Sequence, residues 1–180
     1  MLRPSLRIHG LLLLIVLGAL LLAPSFAPGA VDQAIPPDPR TVRTIAAVPA
    51  AEKITIDGVL SEGVWRTPGS GGFTQRDPSD GQPASEPTTV WVAFDHKHLY
   101  VAARLADSEP SKIVGRLGRR DEEVESDWFA FGVDPYHDRR SGYYFSINPS
   151  GSIQDGTISN DEETDATWDG IWESAARVDD

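Results

Sequence analysis

The sequence predicts an all-β protein, an antiparallel β-sandwich of jelly-roll type, and two observations carry this prediction. Several short segments alternate between apolar and polar side chains, which is the period of a half-buried strand. Gly, Pro, Asn and Asp recur between these segments, and no stretch has the period of a long helix. Roughly six to eight short strands separated by such turns are typical of a sandwich.

The clearest strand pair is TTVWVAF at 88–94 with LYVAARL at 99–105, joined by the short turn at 95–98. A second hairpin is predicted from the alternation at 129–133 and 143–147. A tight turn then leads to a third short strand. The apolar side chains of the second hairpin are expected to build the core, namely Phe129, Phe131, Phe145 and Ile147.

Three further elements are predicted around these hairpins. Ser61 is a candidate cap for a short helical turn that points Trp65 into the core. Residues 68–87 predict an ordered loop, because they are rich in Gly, Pro, Ser and Asp. A last strand is predicted at 171–178, directly before the chain ends at Asp180. An ending of this kind indicates a fragment that stops inside its domain.

The chain begins with a segment typical of a signal peptide. Arg3 and Arg7 precede twelve mostly apolar residues at 11–22, and small residues follow at 27–30. This run is too short to cross a bilayer, which needs about 20 residues. Residues 1–30 therefore predict a signal peptide without a transmembrane span, and export to the periplasm, the outer membrane or the exterior. Residues 31–51 predict a Pro/Ala-rich linker and residues 52–180 the β-sandwich module.

The formal net charge of −11 is concentrated in the last third of the chain. Residues 121–180 contain 16 acidic side chains against Arg139, Arg140 and Arg177. Phosphate binding needs a basic surface, so we expect no nucleic-acid partner. The acidic excess either keeps the protein soluble or supplies carboxylates for a hard cation such as a structural Ca²⁺ ion. Asp127 and Asp155 are the candidate calcium ligands.

No pattern in the sequence indicates catalysis. Glycoside hydrolysis needs two carboxylates about 5 to 10 Å apart across a cleft, and the acidic run at 121–127 shows only closeness in sequence. The chain lacks a Ser/His/Asp order, a phosphate loop and a zinc-helix motif, and it has no cysteine. We expect this chain not to be an enzyme, although a longer parent protein could be a glycoside hydrolase acting on O-glycosyl bonds.

Trp168 is the strongest candidate for a ligand-binding side chain. It lies among acidic and small residues at 165–170, which would leave a flat ring exposed. Sugar rings have apolar faces, so their binding sites stack an aromatic ring on that face and surround it with polar side chains. Trp172 falls within the predicted last strand, where a tryptophan is more often a core residue.

The order of several short motifs resembles the family 9 carbohydrate-binding module, in the variant found at the N-terminus of large bacterial envelope proteins. These motifs are ITIDG at 54–58, Trp65, TTVWVAFD at 88–95, HLYVAARLAD at 98–107, RRD at 119–121, SDWFAFGVDPYHDRRSGYYFSINPSG at 126–151 and WDGIWE at 168–173. The resemblance covers nearly all of 53–180. It implies that the family's C-terminal strands are missing from this fragment.

The resemblance implies a secreted, non-catalytic module that binds oligo- or polysaccharides such as xylan, in proteins of carbohydrate catabolism, with bound calcium. Trp168 is the best match to a sugar-clamping tryptophan, and Trp172 is the second candidate. Arg119, Asp121 and Asn148 are the candidate polar partners of the sugar. The alternative is a structural accessory domain that packs on a following outer-membrane β-barrel and binds no sugar.

Overall fold

The computed structural model describes residues 44–160 and 163–179. The predicted signal peptide and most of the predicted linker lie outside these residues. The described chain has seven strands in two sheets, which confirms the prediction of an all-β, sandwich-like fold. None of its helical turns is long and apolar enough to cross a membrane. The strands are β1 (Ala47–Pro49), β2 (Thr88–Phe94), β3 (Leu99–Leu105), β4 (Phe129–Val133), β5 (Gly142–Ile147), β6 (Ile153–Ser159) and β7 (Glu163–Asp165).

The first sheet has the order β1-β2-β3, with β1 parallel to β2 and β3 antiparallel to β2. The bounds of β2 and β3 are those that the sequence predicts. β1 lies within the predicted linker, where neighbouring prolines obscure the strand pattern. One face of the sheet carries the small core, which includes Ala93 and Ala102 together with Ile54 and Trp65 from the preceding loop.

Trp65 is buried in this core on a 3₁₀ turn, Gly63–Arg66, which confirms its predicted role. The turn is preceded by Glu62 rather than by the predicted cap Ser61. The Glu62 carboxylate accepts hydrogen bonds from the Thr55 N–H (2.9 Å) and from the Trp65 indole N–H (3.0 Å). Glu62 therefore holds the indole in place as the turn enters the core.

The second sheet has the antiparallel order β4-β5-β6-β7. Its first three strands confirm the predicted hairpin and the short strand that follows. β7 was not predicted, because its residues are polar and show no alternation with apolar ones. Phe131 lies opposite Phe145 on the inner face, with ring centres 5.3 Å apart.

A cleft of about 2110 Å³ is lined by β3, β4, β5 and residues 171–179. Phe129, Phe131, Phe145 and Ile147 line it and are only half-buried, so the expectation that they build the core is wrong, because the buried cluster lies on the first sheet. The predicted strand at 171–178 is also wrong. This segment has no regular structure and pairs with neither sheet, although its sequence alternates.

Candidate functional site

A partly buried salt bridge joins the loop before β4 to strand β6. The Arg120 guanidinium donates from Nε to Asp155 Oδ1 (2.8 Å) and from Nη2 to Asp155 Oδ2 (2.6 Å). Asp155 is fully buried, at 0% exposed, and the Arg120 side chain is 35% exposed. The hydrogen bond to Asp155 raises the pKa of Arg120, so its guanidinium stays charged beside the buried carboxylate. Two parallel bonds of this kind fix the orientation of both side chains.

The same salt bridge holds Gly170 at both of its backbone polar groups. The Gly170 N–H donates to Asp155 Oδ2 (2.5 Å), and its carbonyl accepts from Arg120 Nη2 (2.8 Å). A glycine is needed here, because a Cβ would lie 2.9 Å from Cη2 of Trp168 and 3.1 Å from Asp155 Oδ2. The segment that carries Trp168 is therefore anchored to β6.

Two further carboxylates surround Arg120. Asp169 Oδ1 lies 3.1 Å from Arg120 Nε, and Asp121 Oδ2 lies 3.6 Å from the same nitrogen. The Asp169 side chain is 70% exposed, whereas that of Asp121 is 19% exposed. One carboxylate oxygen from each of the three aspartates lies within 4.8 Å of the others. We call these four residues the Arg120 cluster: Arg120, Asp121, Asp155 and Asp169.

Asp121, a predicted site residue, also completes the hydrogen bonding along the outer edge of β6. Its N–H donates to the Ile153 carbonyl (3.0 Å), and its Oδ1 accepts from the Asp155 N–H (2.9 Å). β7 pairs only with 157–159 and leaves this part of the edge open. The φ of Asp121 is 61°, a left-handed value that Asp adopts more readily than most residues. Asp121 is therefore in the cluster, with one oxygen bound to the backbone.

Trp168 packs on the inner face of the second sheet at the cleft. Its ring centre lies 4.6 Å from that of Tyr143, with the planes tilted by 43°, and 6.2 Å from that of Phe145. The side chain remains partly exposed. These aromatic contacts hold the indole in one orientation. Through Gly170, the structure brings Trp168 next to the Arg120 cluster.

Trp172 belongs to the same aromatic group. Its ring meets Phe145 edge-on at 5.2 Å, so Phe145 contacts both predicted tryptophans. The Trp172 indole N–H is buried and has no hydrogen-bond partner among the described residues. An unpaired buried donor costs about 1–3 kcal/mol. The structure therefore brings Trp168 and Trp172 together, although Trp172 presents no paired polar group.

Asn148 shapes the turn between β5 and β6. It is 1% exposed, and its Nδ2 donates to the Arg116 carbonyl (2.6 Å). Its Oδ1 accepts from the N–H groups of Ser150 (3.0 Å) and Ser152 (2.9 Å). The structure gives this predicted site residue a role inside the turn, with its side chain bound to its own chain.

The second arginine of the RRD motif, rather than the first, reaches the aspartates. Arg119 is exposed, and its carbonyl accepts from the Glu122 N–H in a turn (3.1 Å). Arg120 and Asp169 are thus the cluster residues that sequence reasoning missed. Asp169 follows Trp168 directly in the WDG motif, a position that could have pointed to it. Nothing local distinguishes the two arginines.

The two candidate calcium ligands do not lie in one cluster. Asp155 is at the centre of the Arg120 cluster, as described above. Asp127 Oδ2 accepts from the Val114 N–H (2.8 Å), and the Asp127 N–H donates to the Val114 carbonyl (2.8 Å). Asp127 therefore ties its own loop to the segment before it.

The fold and the cluster define an all-β protein whose second sheet carries an aromatic group beside a partly buried salt bridge. No known protein family, curated protein or solved structure matches this chain. Its function is therefore inferred from the geometry and the motif order.

Proposed function

We propose that this protein is a secreted, non-catalytic module that binds carbohydrate chains, of the kind attached to proteins that break down polysaccharides such as xylan. The observation that carries the proposal is the fixed, partly exposed indole of Trp168 beside the Arg120 cluster. The resemblance of the motif order to that of family 9 carbohydrate-binding modules points to the same function.

The chemistry next to Trp168 suits a sugar ring. An indole face that is held in one orientation can stack on the axial C–H groups of a pyranose at little entropic cost. Asp169 follows directly, and its exposed carboxylate can accept hydrogen bonds from hydroxyl groups. The partly exposed guanidinium of Arg120 adds donors in a fixed plane. An aromatic platform with polar groups at its edge is the arrangement that sugar recognition needs.

The hydrogen bonds of Asp155, the buried carboxylate of the Arg120 cluster, support binding without catalysis. Both oxygens of Asp155 accept hydrogen bonds, from Arg120 and from the Gly170 N–H. A catalytic carboxylate must reach its substrate. A fully buried carboxylate whose two oxygens are both bound within the chain does not.

Calorimetric titration with xylo- and gluco-oligosaccharides tests the proposal. We expect measurable binding by the wild type, and a Kd raised about tenfold or more in Trp168→Ala because the stacking surface is lost. Trp168→Phe should retain part of the affinity. Tyr136→Ala is the matched control, since Tyr136 is an exposed aromatic side chain in the loop between β4 and β5.

Two outcomes would contradict different parts of the proposal. Binding of no sugar by the folded wild type would exclude the function. Binding that Trp168→Ala leaves unchanged would exclude this site while keeping the function. Melting curves of each variant show whether a loss reflects unfolding.

A second candidate function is a structural accessory domain of an outer-membrane β-barrel protein, with no sugar ligand. The apolar cleft favours it, because about 2110 Å³ exceeds the roughly 300–1,000 Å³ of ordinary ligand pockets. Space of this size, lined by half-buried aromatic side chains, suits packing against protein segments. The same titration distinguishes the two candidates, since an accessory domain gives no heat with any sugar.

A further inference from the structure

We infer that Arg120 is the resident cation of the aspartate cluster, which includes the candidate calcium ligand Asp155, and that it positions Trp168 through Gly170. The first part concerns Asp121, Asp155 and Asp169 and is independent of any ligand. The second part rests on the proposed function, because it concerns the orientation of the proposed sugar platform.

One guanidinium group reaches all three carboxylates. Arg120 Nε lies 2.8 Å from Asp155, 3.1 Å from Asp169 and 3.6 Å from Asp121. The three carboxylates approach one another within 4.8 Å, which would be repulsive without a positive charge among them. Arg120 supplies that charge from the chain itself.

A calcium ion does not fit this arrangement. Ca²⁺ takes six to eight oxygen ligands at about 2.3–2.6 Å. Asp155 uses its oxygens to accept from Arg120 and Gly170, and Asp121 Oδ1 accepts from a backbone N–H. A divalent cation would also have to displace the guanidinium or lie against it. Asp127 lies outside the cluster and bonds to Val114 instead.

The salt bridge also determines where Trp168 lies. Arg120 and Asp155 bind the carbonyl and the N–H of Gly170, and a Cβ on Gly170 would meet the edge of the Trp168 indole. Loss of the guanidinium would free the Gly170 carbonyl and leave Asp155 buried without its counter-ion. Arg120 is therefore a positioning residue for Trp168, acting through Gly170.

Thermal melting of the whole protein in EDTA and in millimolar CaCl₂ tests the first part. We expect the wild-type Tm to be the same in both. Arg120→Gln should lower the Tm in EDTA by on the order of 10 °C, because it leaves a buried carboxylate unpaired. CaCl₂ should restore part of that loss, since three carboxylates then lack a cation. Arg119→Gln, which changes the exposed neighbour, should match the wild type.

Terbium luminescence excited through tryptophan gives a second readout of the same cluster. Tb³⁺ occupies oxygen-rich calcium sites, so emission sensitised by Trp168 should appear in Arg120→Gln and not in the wild type. A wild type whose Tm rises by several degrees in CaCl₂, or which shows saturable sensitised emission, would overturn the inference. These two wild-type measurements test the inference even if Arg120→Gln does not fold.

Arg120→Lys tests the positioning role. A lysine keeps the charge but lacks the planar fork that binds Asp155 and Gly170 together. We expect it to stay insensitive to calcium, while its near-ultraviolet circular dichroism changes and its sugar affinity falls severalfold. Unchanged tryptophan dichroism in this variant would refute the positioning role. The dichroism needs no ligand, so a wild type that binds no sugar would refute the proposed function and leave the positioning result intact.

Discussion

At the residue scale, the chain uses buried polar side chains to fix loops around the second sheet. Asn148 is the clearest case, because one side chain serves three backbone groups: those of Arg116, Ser150 and Ser152. The Asp155 carboxylate, which Arg120 holds in place, likewise accepts from the Gly170 N–H. Such groups are costly to bury and become more costly when a partner is lost. They therefore make loop geometry sensitive to single substitutions.

We predict that Asn148→Ala lowers the free energy of unfolding by about 3 kcal/mol, because it removes the acceptor of the Ser150 and Ser152 N–H groups and leaves the Arg116 carbonyl with only the longer bond from the Ser152 hydroxyl. Denaturant titration measures this loss. Ser150→Ala, an exposed change in the same turn, should cost less than about 0.5 kcal/mol. An Asn148→Ala variant with wild-type stability and lost sugar affinity would show instead that Asn148 contacts the ligand.

At the element scale, β3 is an edge strand of the first sheet within the described part of the chain. The Asp95 N–H donates to the His98 carbonyl, and the Ala106 N–H donates to the Pro87 carbonyl. These bonds at the two ends of the β2–β3 ladder establish which residues of β3 are hydrogen-bonded to β2 and which are not. The N–H of Ala102 therefore donates to β2, while the N–H of Ala103 points away from β2. Leu99 and Leu105 at the two ends are each 54% exposed. An unprotected apolar edge beside a cleft is a surface that another strand can pair with.

The alternation of hydrogen-bonded residues along β3 predicts different losses of stability for proline at two adjacent positions. Ala103→Pro should cost little stability, because its N–H lies on the free side and edge strands tolerate proline there. Ala102→Pro should cost at least about 2 kcal/mol more, since it removes a ladder bond at a buried residue. Comparison of their melting temperatures checks this. Equal losses would mean that β3 is paired on both sides.

At the scale of the whole molecule, stability should depend on acidic groups in the loops. Asp95 accepts from the Lys97 N–H (2.7 Å) and the Tyr100 hydroxyl (2.8 Å), which lower its pKa, the Lys97 bond most. The Arg139 N–H lowers the pKa of Asp134, and the Ser141 hydroxyl lowers that of Asp138. Each such group favours the folded state only while it is ionised.

We predict a Tm that is nearly constant from pH 7 to about 5 and falls below about pH 4. The folded-state pKa values lie below those of the unfolded chain, so the stabilisation is complete above the unfolded values and is lost as the pH falls toward the folded ones. Loss of the net negative charge acts in the opposite direction. Asp95→Asn separates the two effects, because it should flatten the decline with little change in charge. A wild-type Tm independent of pH down to 3 would refute the prediction.

The sequence by itself determined the fold class and the strands of the two hairpins. Alternation and turn residues are local properties, so β2, β3, β4 and β5 could be located from their own side chains. The burial of Trp65 also followed from its place on a short turn next to an apolar strand. β1 and β7 were not predicted. Each has only three residues, with a proline in β1 and polar side chains in β7, so neither shows an alternation of apolar and polar residues. They are strands only because β2 and β6 pair with them.

Only the tertiary structure decided which polar residues meet. Arg120 bonds to Asp155, 35 residues away, and to Gly170, 50 residues away. Arg119 differs from it in no local property and still points to solvent. Whether Asn148 faces a ligand or its own turn likewise depends on Arg116 and on the turn that follows it. Side-chain chemistry limits the possible partners, but the direction of each side chain depends on how distant strands pack.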